Sequence, residues 1–208
     1  MYDRRYGDKV LTFEASGGLI NSSLVLQDRE TDSYWAIMRG KSLNGELAGT
    51  PMKEIAVNQK MTWKDWRAQH PDTLVLSVDG VEDQVNAYDN YFQSEQGFRN
   101  NKASDTRLDT KTPIFAFRLK ESSYAVRYSD IVGGREFQLG TQTVYLHRND
   151  GAGLLDSTRA YVADSISGCT LDSLLLKTND TACARPLSGF DTFWYNWSLN
   201  NPDTELLQ

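Results

Sequence analysis

Histidine and cysteine are nearly absent from this chain: His70, His147, Cys169 and Cys183 are the full complement in 208 residues. Two histidines exclude a multi-histidine metal centre. Two cysteines with no histidine nearby cannot supply the four ligands of a structural zinc site. Basic charge is also short, with 22 Lys and Arg against 28 Asp and Glu, a net charge of −6 and a pI near 5.0. Phosphate binding needs a basic stripe and none is present, so a nucleic-acid partner is excluded. No apolar run reaches the ~18 residues of a membrane-spanning helix. The opening "MYDRRYGDKV" lacks the apolar stretch of a signal peptide, so the chain reads as cytosolic or as the mature piece of an exported protein. No G-x-S-x-G elbow occurs, and neither a metal site nor a cofactor is predicted.

Aromatic residues, by contrast, are plentiful. Five Trp, ten Tyr and eight Phe within a 39% hydrophobic composition are enough to build a real core. Short runs rich in Val, Ile, Tyr, Phe and Thr recur between Gly, Asn, Asp and Ser turns, among them "KVLTFEAS", "SLVLQDR", "TLVLSVDG", "PIFAFRLK", "SYAVRYS" and "TVYLHR". "PIFAFRLK" and "YAVRY" alternate as half-buried antiparallel strands do. The expected fold is mainly β (a β-rich α+β unit) of antiparallel strands.

Only two segments look helical, and they are near-copies. "WKDWRAQHPDT" at 63–73 and "WYNWSLNNPDT" at 194–204 share W-x-x-W-x-x-x-x-P-D-T. In the first, Thr62 with Asp65 three residues on resembles a capping box, and Pro71 stops the helix. Helices of two turns do not hold by themselves. Two equivalent helices, at 62–70 and 191–200, are therefore expected to bury Trp63, Trp66, Trp194 and Trp197. A fainter echo between "LVLQDRETD" and "VYLHRNDGAG" adds to the repeat. It suggests an internal pseudo-duplication with halves at about 1–92 and 113–208, joined by the polar, unpatterned linker 93–112.

Cys169 and Cys183 flank a Ser-, Thr- and Asp-rich segment. The pair reads as a disulfide closing a loop, which implies an oxidising, extracytoplasmic compartment; the competing reading is two unrelated buried thiols.

Several blocks together resemble a family. Gly17 to Trp35 follows G-x-L-x-N-S-x-L-x-x-x-D-R-x-T-x-S-x-W, and Gly45 to Thr50 follows G-x-L-x-G-T. Thr62 to Thr73 follows T-W-x-x-W-x-x-x-H-P-D-T, with a closing copy at Phe193 to Thr204. The combination resembles the prokaryotic domain of unknown function 3179. The resemblance implies an often exported protein and supplies no established activity. Two departures stand out. The closing copy has Asn201 where the family pattern has His, and the chain opens at the Y-D-R that follows a Tyr-Cys-Pro-Leu-Cys-like segment in family members. The strand "KVLTFEAS" or "SLVLQDR" is accordingly expected to present an edge. Either Asp3, Arg4, Arg5 and Asp8 guard that edge, or another chain covers it in a homodimer.

Two kinds of chemistry compete. His70 beside Asp72 at a helix C-terminus is the one candidate for proton transfer, against a role as a helix cap. Asp28, Arg29, Tyr34 and Trp35, in the D-R-E-T-D-S-Y-W block, could surround a groove that stacks a sugar or holds a carboxylate, or could tie hairpins together. Asp28, Glu30 and Asp32 lack the spacing of an EF-hand, so a solvated turn is expected there. His147 reads as a half-exposed strand residue. The leading reading is an extracytoplasmic (periplasmic or secreted) domain that binds a small molecule, glycan or protein partner. The alternative is a hydrolase using carboxylates or His70 and Asp72, and the residues alone do not say whether the chain is an enzyme.

Overall fold

The computed structural model describes residues 1–56, 61–76, 88–165, 167–171, 174 and 183–208. The chain is mainly β. It starts with a hairpin of β1 (Arg5–Tyr6) and β2 (Lys9–Val10), followed by β3 (Phe13–Ile20), β4 (Ser23–Asp28), β5 (Tyr34–Ala36) and β6 (Lys41–Asn44). Those last four form a first, fully antiparallel sheet in chain order. Helices α1 (Trp63–Gln69) and α2 (Asp89–Gln93) come next. The rest is β7 (Pro113–Leu119), β8 (Ser122–Arg127), β9 (Arg135–Leu139), β10 (Gln142–His147), β11 (Arg159–Asp164), β12 (Arg185–Pro186), β13 (Phe190–Phe193), α3 (Trp194–Ser198) and β14 (Glu205–Leu207). The second sheet runs β13-β7-β8-β14 and the third β12-β11-β10-β9. Among these strands every pairing is antiparallel except β14 on β8, and an isolated bridge from Val132 to Arg148 is also parallel.

The second and third sheets share the main core. Phe115, Phe117 and Val126 from one meet Val144, Leu146 and Val162 from the other. Alternation puts Ile114 and Ala116 on the opposite face of β7, where Trp194 and Trp197 of α3 cover them. β7 is therefore buried on both faces, not half-buried as its pattern suggests. The first sheet has its own core around Trp35, Leu11, Tyr6 and Met52.

Arg118, at the end of β7, joins the first sheet's flank to the second. Its guanidinium donates to Glu54 at 2.7 Å, to Asn201 Oδ1 at 2.9 Å and to the Met38 carbonyl, and lies 4.8 Å from the Trp197 ring. Where Arg118 is half-buried, Arg148 is buried, and it donates to Asp191, Thr158 Oγ1 and the carbonyls of Gly153 and Asp156. Its guanidinium sits 3.6 Å from the Tyr128 ring. Both arginines are satisfied by several acceptors at once, which offsets the cost of burying their charge.

The two copies of the tryptophan motif fold alike locally. In each, the second indole donates to the Thr seven residues on: Trp66 to Thr73 at 2.9 Å and Trp197 to Thr204 at 2.8 Å. In each, the backbone N–H at the His70 or Asn201 position donates to the carbonyl of that same Trp. Their surroundings differ. Trp194 and Trp197 are fully buried, whereas Trp63 is 49% exposed and no residue of α1 is buried. The expectation of four buried indoles thus holds for one copy only, because the strand face and Arg118 that cover α3 have no counterpart over α1 among the described residues. The helix expected over 191–200 begins at Trp194, since residues 190–193 are taken by pairing with β7. The strand expected in "TLVLSVDG" is not formed over residues 73–76, and residues 77–80 lie outside the described ones.

Residues 1–9 pair with each other and, through Tyr2, with Glu54, and do not extend the first sheet. β3 is that sheet's edge, and a register shift between Ala15 and Leu19 bends it. Cys169 and Cys183 are bonded, with Cα atoms 5.5 Å apart. No helix among the described residues is long and apolar enough to cross a membrane.

Candidate functional site

The strand-to-helix junction at α3 organises a sizeable concavity among the described residues. Phe193 offers no side-chain cap to the helix that follows it. The orphan N–H groups of the first turn are met by other backbone. Trp194 N donates to the Thr112 carbonyl at 2.9 Å and Tyr195 N to the Thr110 carbonyl at 3.0 Å. The Trp194 indole donates to the Asp105 carbonyl at 2.8 Å, and the Arg107 guanidinium packs 5.4 Å from that ring. Residues 105–112, in the segment read as a linker, are thereby fastened along α3.

Residues 88–101 close the other side. The Tyr91 and Tyr195 hydroxyls are 2.9 Å apart, and Phe98 N donates to the Tyr195 hydroxyl at 3.1 Å. Burial, reinforced by this hydrogen bond, holds the Tyr91 hydroxyl far above its ordinary pKa, so it stays protonated. Gly97 permits the close approach: a Cβ there would lie 2.5 Å from the Tyr195 ring.

Between these walls lies a cavity of about 580 Å³, lined by Glu95, Gln96, Lys102, Asp109, Thr110, Lys111 and Thr112. Lys111 is its most constrained member. Its ammonium donates to the Tyr91 carbonyl and lies 3.8 Å from the Tyr91 ring, 4.6 Å from that of Phe193 and 6.0 Å from that of Phe92. Burial pushes its pKa below the usual lysine value, while the ring faces favour the charged form. Thr110 Oγ1 accepts from Ala103 N at 3.2 Å and keeps its own proton free to donate. Among the described residues, none of Lys111, Lys102, Glu95 and Asp109 forms an ion pair. Unneutralised charges of both signs around one concavity are what a polar ligand can exploit.

The residues singled out from sequence lie elsewhere. His70 caps α1 in the open, its ring 4.2 Å from that of Trp66. Asp72 is exposed too, and no ion pair within 4.0 Å joins the two. In the buried copy, Asn201 fits where His would not serve as well. Its amide oxygen accepts from Arg118, and its nitrogen donates to the Met38 carbonyl at 3.0 Å and to the Trp197 carbonyl at 3.2 Å. A neutral imidazole offers one donor and one acceptor, too few for that set.

The D-R-E-T-D-S-Y-W block forms the β4–β5 turn. Asp28 is fully buried and accepts from the Trp35 indole at 2.7 Å, from Thr31 N at 2.6 Å and from the Thr31 hydroxyl at 2.8 Å. Burial alone would raise its pKa; the hydrogen bonds from Trp35, Thr31 and Ser33 outweigh that and hold the carboxyl below the ordinary range. Trp35 is fully buried and leaves no indole face for a ligand. Arg29 turns outward to Glu14 at 2.6 Å, and Tyr34 is half-buried. Glu30 accepts from Thr12 N and Asp32 from the Gln27 amide, so the three turn carboxylates face three different partners. His147 faces Arg159 across the β10–β11 pair. Its Nδ1 is buried without a hydrogen bond, and burial, then Arg159, lowers its pKa.

The cavity residues carry no periodicity or motif that sequence reasoning could seize. The nearest signal is the density of Thr, Lys and Asp in "RLDTKT", which also describes an ordinary solvated loop. The family model described as "Protein of unknown function (DUF3179)" matches residues 1–204, so the chain belongs to that family. No curated protein matches it, and no solved structure does.

Proposed function

We propose that this DUF3179 chain is a binding domain whose cavity at residues 95–112 takes a small polar molecule, free or as part of a glycan. One observation carries the reading: four charged side chains and two threonines border a single concavity, and among the described residues none of the four charges forms an ion pair. A lone surface charge is unremarkable, but several free charges around a hollow of this size are a ligand's natural partners. The Cys169–Cys183 bond supports work outside the cytoplasm, in the periplasm or after secretion, where such bonds persist.

Hydrolysis through His70 and Asp72 gains nothing from the geometry. They lack the nucleophile–base–orienter contacts that such catalysis requires, and they lie on an open helix end. The test is a thermal-shift and calorimetric screen of the intact, oxidised chain against neutral sugars, acidic sugars and amino acids. Saturation at one hundred times Kd should stabilise the fold by about 2.7 kcal/mol. Asp109→Ala and Glu95→Ala should weaken whichever ligand binds, with the far-ultraviolet spectrum unchanged. A ligand that binds both variants as well as the parent, or a screen with no binder, would overturn the proposal.

A further inference from the structure

Resting on that reading of the cavity, we infer that its ligand carries a carboxylate and that Lys111 is the residue that pairs with it. Lys111 is the only half-buried charge in the lining; Glu95, Lys102 and Asp109 are exposed. One of its three ammonium protons goes to the Tyr91 carbonyl, which leaves two donors. The Tyr91 and Phe193 rings hold the Nζ in place, so an arriving anion pays little to order it. Thr110 and Thr112 flank Lys111 in sequence and lie in the same wall, and neither hydroxyl donates to a partner among the described residues. A planar carboxylate has two oxygens and about four acceptor positions. One ammonium and two hydroxyls match them.

The lining also limits the charge of the ligand. Glu95 and Asp109 stand on the same cavity and would repel a phosphate dianion or a polyanion, as would the net charge of −6. Those two carboxylates accept well from hydroxyl or ammonium groups. A monocarboxylate on a hydroxyl- or amino-bearing framework satisfies both halves of the site. Acidic sugars and amino acids share that chemistry.

Calorimetry of the intact chain with D-glucuronate, L-glutamine and D-glucose tests the inference. At least one of the first two should bind ten-fold or more tighter than glucose, and binding of the acid alone should supply which framework fits. Lys111→Met should weaken the acid at least ten-fold. Because Lys111→Met could disturb the aromatic packing, the parent protein labelled at lysine Cε supplies a second readout by NMR. Its Lys111 signal should titrate at a higher pH with the acid bound, as an anion beside the ammonium demands, and not with glucose. Glucose binding as tightly as both acids, or a Lys111 signal indifferent to the bound acid, overturns the inference while the binding reading stands. No binding by any of the three, together with a blank wider screen, removes both.

Discussion

Two hydrogen bonds with the same geometry and opposite surroundings allow the value of burial to be measured inside one protein. Trp197 donates to Thr204 at 2.8 Å where Thr204 is 3% exposed, and Trp66 donates to Thr73 at 2.9 Å in the open. Valine has almost the shape of threonine and neither donates nor accepts. In Thr204→Val the indole N–H loses its acceptor in the core, and the Asn201 carbonyl loses the hydroxyl that reached it at 2.7 Å. Stranding buried polar groups costs about 1–3 kcal/mol each, and partial relaxation makes about 2–3 kcal/mol the expected total. In Thr73→Val water replaces the hydroxyl, and the change should stay within about 0.5 kcal/mol. Urea unfolding followed by tryptophan fluorescence, with the disulfide intact, reads both. At a slope of about 2 kcal/mol per molar, Thr204→Val should lower the midpoint by about 1 M and Thr73→Val should hardly move it. Equal shifts would refute the reasoning, since they would mean that the first copy is as well covered as the second.

Cys169→Ser with Cys183→Ser should cost about 3 kcal/mol, the loop-closure value for a sequence separation of 14, and thiol titration of the unfolded parent should find no free thiol until reductant is added. Arg148→Met should cost about 3–5 kcal/mol in chemical denaturation, because it takes the charge partner from the largely covered Asp191 carboxylate and leaves it the Thr158 donors; adding Asp191→Leu should recover part of the loss. Asp28 gives a pH signature. Its carboxyl is held below the ordinary range, so its contribution is complete above the unfolded value of about 3.9 and is lost as pH falls through the folded value. Acid-unfolding curves of Asp28→Asn should therefore be flatter below about pH 4 than those of the parent, and an unchanged slope would count against the hydrogen-bond account.

The β character of the chain was legible because runs such as "YAVRY" are rich in aromatic and β-branched residues. β8 itself, with Val126 in the main core and Ala125 under α3, is buried on both faces and not half-buried as its alternation suggests. In β7 the alternation survives only as a difference in size. Phe115 and Phe117 face one core while Ile114 and Ala116 face another, and no residue pattern announces that a helix from the far end of the chain will cover the second face. The tryptophan motifs carry the same limit. Their turn chemistry is local and was readable, down to the Thr62–Asp65 cap of α1. Their burial depends on Arg118, Phe190 and the β7 face, which arrive from elsewhere. The disulfide could be anticipated because both partners lie in one loop-like segment. The cavity could not, since its walls come from irregular backbone whose path is set by hydrogen bonds to α3.

The parallel pairing of β14 with β8 also has a bearing on how the protein is made. Glu205, Leu206 and Leu207 complete a sheet in which β7 and β8 are synthesised before the whole third sheet and β13 after it. Leu207 is itself part of the main core. On the ribosome, the open flank of β8 must wait until residues 205–207 have cleared the exit tunnel. Such non-local closure slows folding and leaves a strand edge exposed meanwhile. Until those residues emerge, the second sheet stays one strand short and the main core lacks Leu207.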